Sequence, residues 1–221
     1  MKKIVLAISI ALFSTFNLVA QIFEGVVVYT ISFENSGLPP EALAMFNGAE
    51  SSVYIKGDKR RIDMNTALQS TSTLIDNKTK MVMMTMDIMG QKYLIKMNEA
   101  DLKKEKETAP VTTIKYIDET KMIAGYKSKK AEVKMKMQDG KEETFIVFYT
   151  EEIPVNETNT TFEGLKGFPL EYSISQSGIK MTFTTKSIDK SPIPDSKFDL
   201  VKAGYKETTL EELQKSMMGG K

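Results

Sequence analysis

The tightest constraint on this chain is a turn. Within residues 120–150, TKMIAGYKSKKAEVKMKMQDGKEETFIVFYT, an Asp139-Gly140 pair separates two β-rich runs. Such a pair predicts a hairpin, because a two-residue type I′ turn needs positive φ at both central positions and Asp-Gly tolerates that. With that loop, Gln138 faces Lys141, Met135 faces Thr144, Val133 faces Ile146 and Ala131 faces Phe148. One face then carries Ala131, Val133, Met135, Ile146 and Phe148, and the other carries Lys134 and Lys136 against Phe145 and Glu143.

The same pattern recurs along the chain. Residues 22–33 are apolar on both faces, which predicts a strand away from any sheet edge. Residues 51–56 and 59–65 predict a hairpin about Gly57-Asp58, whose glycine-first order suits a type II′ turn. Residues 71–75 and 80–88 are joined by Asp76-Asn77-Lys78-Thr79, and Gly90 leads into a run at 91–98. Residues 170–176 and 179–187 alternate strictly about Ser177-Gly178, so Tyr172 faces Phe183 and Ile174 faces Met181. Helices are expected after Pro39-Pro40, with Leu43 and Phe46 facing inward, and after Thr208, where Glu211 completes a capping box. The charged stretch 99–107 reads as a solvated helix or loop, residues 154–167 as a polar loop, and Phe198 as the anchor of an irregular stretch reaching Tyr205. The fold class is therefore mainly β (α+β): one strongly curved antiparallel sheet, half-barrel-like, with two or three short helices on its concave side.

Composition narrows function mainly by exclusion. The first twenty residues combine Lys2-Lys3, an unbroken apolar run and Ala20, the pattern of a cleaved secretory signal. The expectation is a signal peptide at 1–20 and a single domain at 21–221, periplasmic or secreted and not membrane-spanning once processed. Removing two lysines from 30 basic residues leaves 28 against 29 acidic ones, a charge near −1 that argues against a nucleic-acid partner. The chain has no cysteine and no histidine. Disulfides, lipid-modified cysteine, a Ser-His-Asp triad, a Cys-His pair and histidine-based zinc sites are therefore ruled out. The adjacent acids Glu142-Glu143, Glu151-Glu152 and Glu211-Glu212 read as solvating groups, since neighbours on a strand point to opposite faces. No enzyme activity and no cofactor are expected.

Several segments resemble a known family. They are Ala124-Gly125-Tyr126-Lys127, Phe148-Tyr149-Thr150, the run from Glu163 to Glu171, Pro194-Asp195-Ser196-Lys197-Phe198, and Gly204-Tyr205-Lys206. In that order they resemble the GLPGLI-like secreted proteins of Bacteroidota, with Gly-Leu-Lys-Gly-Phe-Pro at 164–169 standing where the family has its signature. That family is in turn distantly similar to outer-membrane lipoprotein carriers. The resemblance implies a curved antiparallel sheet half-closed over short helices, and an apolar cavity able to hold an acyl chain.

Methionine is concentrated at residues 80–90, KMVMMTMDIMG, and recurs at Met135 and Met137. Three readings stand: adaptable core filler, a cavity for a greasy ligand, or a thioether copper(I) site. The candidate cavity residues are Met81, Met83, Val133, Met135, Ile146, Phe148, Tyr172, Ile174, Met181 and Phe183. Arg60-Arg61, the only two arginines, read either as a charged strand start with Tyr54 across from Arg61, or as a headgroup or phosphate contact. Tyr126 beside Gly125 reads as packing over a strand bend, or as a cavity rim. The functional expectation is a non-enzymatic binding protein holding a lipid or other hydrophobic ligand between sheet and helices. The alternatives are an envelope structural module that binds a protein partner, and a methionine-based copper binder.

Overall fold

Alternation and tight turns generate one twelve-stranded sheet, ordered β12-β6-β5-β4-β3-β2-β1-β11-β10-β9-β8-β7. The computed structural model describes residues 23–34, 46, 48–67, 69–153, 155, 162–176, 179–200 and 202–218. The expected signal peptide, most of the helix after Pro39-Pro40 and the Ser177-Gly178 turn lie outside them. The strands are β1 (Gly25–Glu34), β2 (Glu50–Lys56), β3 (Lys59–Asn65), β4 (Gln69–Asp76), β5 (Met81–Ile88) and β6 (Gln91–Met97). Then follow α1 (Glu99–Thr108), β7 (Val111–Ile123), β8 (Tyr126–Lys136), β9 (Glu142–Thr150), β10 (Phe168–Gln176), β11 (Ile179–Asp189), β12 (Lys206–Glu207) and α2 (Leu210–Met218). All neighbours pair antiparallel except β12, which runs parallel to β6. The apolar β1 sits inside the sheet between β2 and β11, as its two-sided hydrophobicity requires.

Connectivity forces this sheet to curl. Strands β6 and β7 are ten steps apart in the sheet order, about 48 Å if it were flat. Only α1 and five flanking steps join them, a reach of about 30 Å. A direct contact confirms the curl: the Arg60 guanidinium of β3 lies 5.7 Å from the centroid of the Phe168 ring of β10, four strands away. Helix α1 is a solvated connector with no buried residue, started by a capping box between Asn98 and Asp101. Helix α2 begins with the same device, one residue later than expected: Thr209 Oγ1 accepts from Glu212 N, and Thr209 N donates to Glu212 Oε2.

Asp139-Gly140 does reverse the chain, but the loop is not the expected one. Lys136 pairs with Glu142, Met137 N donates to Lys141 O (2.8 Å), and Gly140 N donates to Met137 O (3.0 Å). Gly140 has φ +82°, while Asp139 is not among the positive-φ residues. This is a three-residue loop with a glycine bulge, which needs left-handed backbone at one position only. The extra residue shifts the register by one and reverses every side chain on the returning strand. Val133 therefore faces Phe145, Met135 faces Glu143 and Ala131 faces Val147.

True two-residue reversals with positive φ at both positions occur instead at Met89-Gly90 (+52°, +87°) and Ala124-Gly125 (+48°, +85°). The second shows that Gly125 makes a hairpin turn, not a strand bend. Met89 is 81% exposed, and Gly90 N donates to Asp87 Oδ1 (2.9 Å). Because asparagine accepts left-handed backbone better than methionine, Met89→Asn is expected to stabilise the protein by about 0.5–1 kcal/mol. Urea unfolding reads the shift; a lower midpoint would contradict the turn.

Candidate functional site

Pairing registers define one face that runs through the sheet from β6 to β8 and on to Ile114 and Tyr116 of β7. Along β1 it carries Val27, Tyr29, Ile31 and Phe33, which pair directly or diagonally with Val53 and Ile55 of β2 and with Phe183 and Met181 of β11. Register extends the same face to Ile62 and Met64 of β3, Met84 and Met86 of β5, and Ile95 of β6. On the other side it continues through Tyr172 and Ile174 to Val147 and Phe145, then to Ala131, Val133 and Met135. This inner face holds two packed clusters, one around β1, β2 and β11 and one around β8 and β9. Tyr172 and Ile174 touch both.

Tyr172 is the centre of an aromatic group. Its ring stacks on Phe183 (4.8 Å between centroids, 7° between planes) and meets Tyr29 and Phe162 edge-on at 5.9 and 5.1 Å. Burial pushes the Tyr172 hydroxyl well above the usual phenol range, and does the same to Tyr29. Tyr29 donates its proton to Pro169 O (2.5 Å), tying β1 to the start of β10. Phe162 and Leu165, from the stretch read as a polar loop, are buried in the second cluster. That is a correction: within the described residues 162–167, Phe162 and Leu165 pack against β8 and β9.

The candidate cavity residues divide between the faces. Val133, Met135, Tyr172, Ile174, Met181 and Phe183 lie on the inner face. Ile146 and Phe148 do not, because of the register shift at the β8–β9 turn. Ile146 is 40% exposed, and Phe148 is buried under the Lys121 ammonium, 3.9 Å from its ring centroid. Met81 and Met83 also face outward, where Met83 packs beside Leu74, Ile193, Phe198 and Leu200. Phe198 thus anchors the segment after β11, as expected. The five methionines of β5 and its turn are split, with Met84 and Met86 inward, Met81 and Met83 outward, and Met89 at the tip. Strand alternation therefore lets no more than two of the five approach one ion.

Arg60, read with Arg61 as a charged strand start or a head-group contact and not as a cavity residue, lies on the inner face. It pairs with Ile55 and Ile75 and is 5% exposed. Its neighbour Arg61 points outward beside Tyr54, as expected, and is held by Asp63 (2.7 Å), Lys197 O (2.8 Å) and Ser72 (3.3 Å). The signal was available, since alternation with Val53 and Ile55 assigns Arg60 to the apolar side.

An open groove of about 690 Å³ lies where β7 bulges, lined by Tyr116, Glu119, Lys129, Tyr149, Glu151 and Lys166 among others, and Tyr149 is also part of the second cluster. Its charges are largely self-neutralised: Lys129 pairs with Glu151 (2.6 Å), Lys130 with Glu119 (2.7 Å), and the Lys166 ammonium lies 4.9 Å from the Tyr116 ring centroid. Burial, and then the Glu151 charge, raise the Tyr149 hydroxyl above its ordinary value. Among the described residues, no helix is long and apolar enough to cross a membrane.

Neither a family model nor a curated protein matches the chain, so the GLPGLI-like resemblance rests on the residues quoted above. Among solved structures the chain is similar to PNGF-II in two crystal forms, at 17% identity and TM-scores of 0.54 and 0.50. The match covers 89% and 88% of this chain but only 33% and 32% of PNGF-II, so the chain spans about a third of that protein's length. A beta-barrel-like protein of the domain of unknown function DUF1849 from Brucella abortus matches at 7% identity and TM-score 0.42, over 78% of this chain and 99% of its own. LprF from Mycobacterium bovis matches at 13% identity and TM-score 0.31, over 79% and 89%. The likeness to PNGF-II shows a shared fold for most of the chain.

Proposed function

We propose that the protein is exported and, without catalysing a reaction, holds a hydrophobic ligand such as a lipid or acyl chain against the inner face, with short helices on that side. One observation carries this reading. Apolar side chains run along the inner face from β6 to β8, interrupted by Ser51, Arg60, Thr71, Thr73 and Glu143, yet Ile62, Met64, Met84, Met86, Ile174 and Met181 on it are only partly buried. Covering about 200 Å² of such surface stabilises a complex by about 5 kcal/mol. Flexible thioethers suit the task because they adapt to chains of varied shape.

Native mass spectrometry of protein taken from its own envelope without detergent, followed by solvent extraction, tests the reading. A co-purifying lipid is expected, lost in Met84→Glu on the inner face and retained in Ile146→Lys on the outer. An empty protein that also fails to take up a fluorescent fatty acid would sink the idea.

A second reading is favoured by the sheet edge. Strand β7 is thirteen residues long, pairs only with β8 among the described strands, and exposes Val111 (69%) and Met122 (66%). Such an edge suits an added strand from a protein partner. It takes the lead if the inner face proves empty and proline at Thr113 weakens capture of an envelope protein.

A further inference from the structure

We propose that Arg60 is the polar anchor of the inner face, binding the anionic head, a carboxylate or phosphate, of an amphiphile whose chain lies along that face. The inference rests on the hydrophobic-ligand reading above and deepens it by naming the head group.

Arg60 and Arg61 are adjacent on β3, so they project to opposite sides of the sheet. Arg61 is engaged by a carboxylate, a hydroxyl and a main-chain carbonyl. Arg60 is 5% exposed, flanked on neighbouring strands by Ile55 and Ile75, and forms no ion pair with any described carboxylate. Its Nε and Nη2 have no hydrogen-bond partner among the described residues. Guanidinium stays protonated in proteins, so this group cannot escape the cost of burial by discharging.

The two unpartnered nitrogens are not an arbitrary pair. Nε and Nη2 form one edge of the guanidinium plane, with parallel N–H bonds that match the two oxygens of a carboxylate or phosphate. The Phe168 ring also lies close to the guanidinium, its centroid 5.7 Å from Cζ. Arg60 lies between Ile55 and Ile75 with the Tyr29 hydroxyl in electrostatic reach, a low-dielectric setting that strengthens a charged hydrogen bond. An alkyl chain leaving the head group would meet the inner side chains of β1–β5, including Ile62 and Met84. Lysine would supply charge without the fork, so the position asks for the shape of arginine and not only its sign.

The test compares palmitate, hexadecyl phosphate, hexadecanol and inorganic phosphate as probes, by calorimetry on the delipidated full chain and on Arg60→Met and Arg60→Lys. At least one chain-bearing anion is expected to bind about tenfold or more tighter than hexadecanol. Arg60→Met should erase that preference while keeping hexadecanol binding, and Arg60→Lys should retain only part of it. Equal binding of all three chain-bearing probes, unchanged by Arg60→Met, would overturn the anchor while leaving the hydrophobic-ligand reading intact. Failure of every chain-bearing probe would remove that reading and the anchor with it. Inorganic phosphate binding as tightly as hexadecyl phosphate would show a small-anion site and overturn the amphiphile assignment. Should either variant fail to fold, the wild-type preference for palmitate or hexadecyl phosphate over hexadecanol decides alone.

Discussion

Val147→Lys is expected to unfold the protein or to cost more than about 4 kcal/mol, whereas Ile146→Lys, one residue away, should change stability by less than about 1 kcal/mol. Val147 is fully buried, pairs with Ala131, itself fully buried, and faces Tyr172 on the other side. An ammonium there must lose its hydration or its proton, and its cross-strand neighbours Ala131 and Tyr172 offer it no carboxylate. Ile146 is 40% exposed and lies across from Glu132, so a lysine gains an opposite charge in return for modest apolar contact. Urea midpoints at constant slope read both variants. A two-residue loop at Asp139-Gly140 would reverse the order of the effects, so the pair of measurements decides the register of the central hairpin.

Gly167→Ala is expected to cost about 2–4 kcal/mol, the range for overpacking against atoms that cannot yield. A Cβ at this position would press on the Thr150 carbonyl oxygen, with the carbonyl carbon and Tyr149 Cδ2 both at 2.7 Å. The obstacle is main chain at the end of β9, where Phe168 pairs with Thr150, so no side-chain rotation relieves it. The glycine lets the loop carrying Phe162 and Leu165 close over the second cluster. Lys166→Ala, next in sequence and exposed, should cost under about 1 kcal/mol and serves as the comparison. A melting temperature equal to wild type in Gly167→Ala would mean that this approach is looser than described.

The candidate site was partly legible before the fold was known. Pairing of Tyr172 with Phe183 and of Ile174 with Met181 follows from strict alternation about a short loop, and the structure has both pairs. Tyr54 opposite Arg61 follows in the same way. What failed was the face of Ile146 and Phe148, because one additional loop residue inverts a strand, and local propensity barely separates the two loops. The methionine run failed for a related reason. Alternation along the strand splits Met81 and Met83 from Met84 and Met86, but only the register shows that Met84 and Met86 take the inner side while Met83 lies in the outer cluster with Phe198.

Local chemistry in the chain determined the strands, most turns, the capped helices, the inward position of β1, and the lack of histidine and cysteine chemistry. Those properties depend on neighbours within a few residues, where period-two hydrophobicity and turn-forming pairs act directly. Tertiary structure alone decided that β1 would join two meanders through β11 and that the sheet would curl until Arg60 met Phe168. Each of these depends on contacts between residues more than a hundred positions apart, whose free energy is set by closure of the whole sheet and not by any single segment.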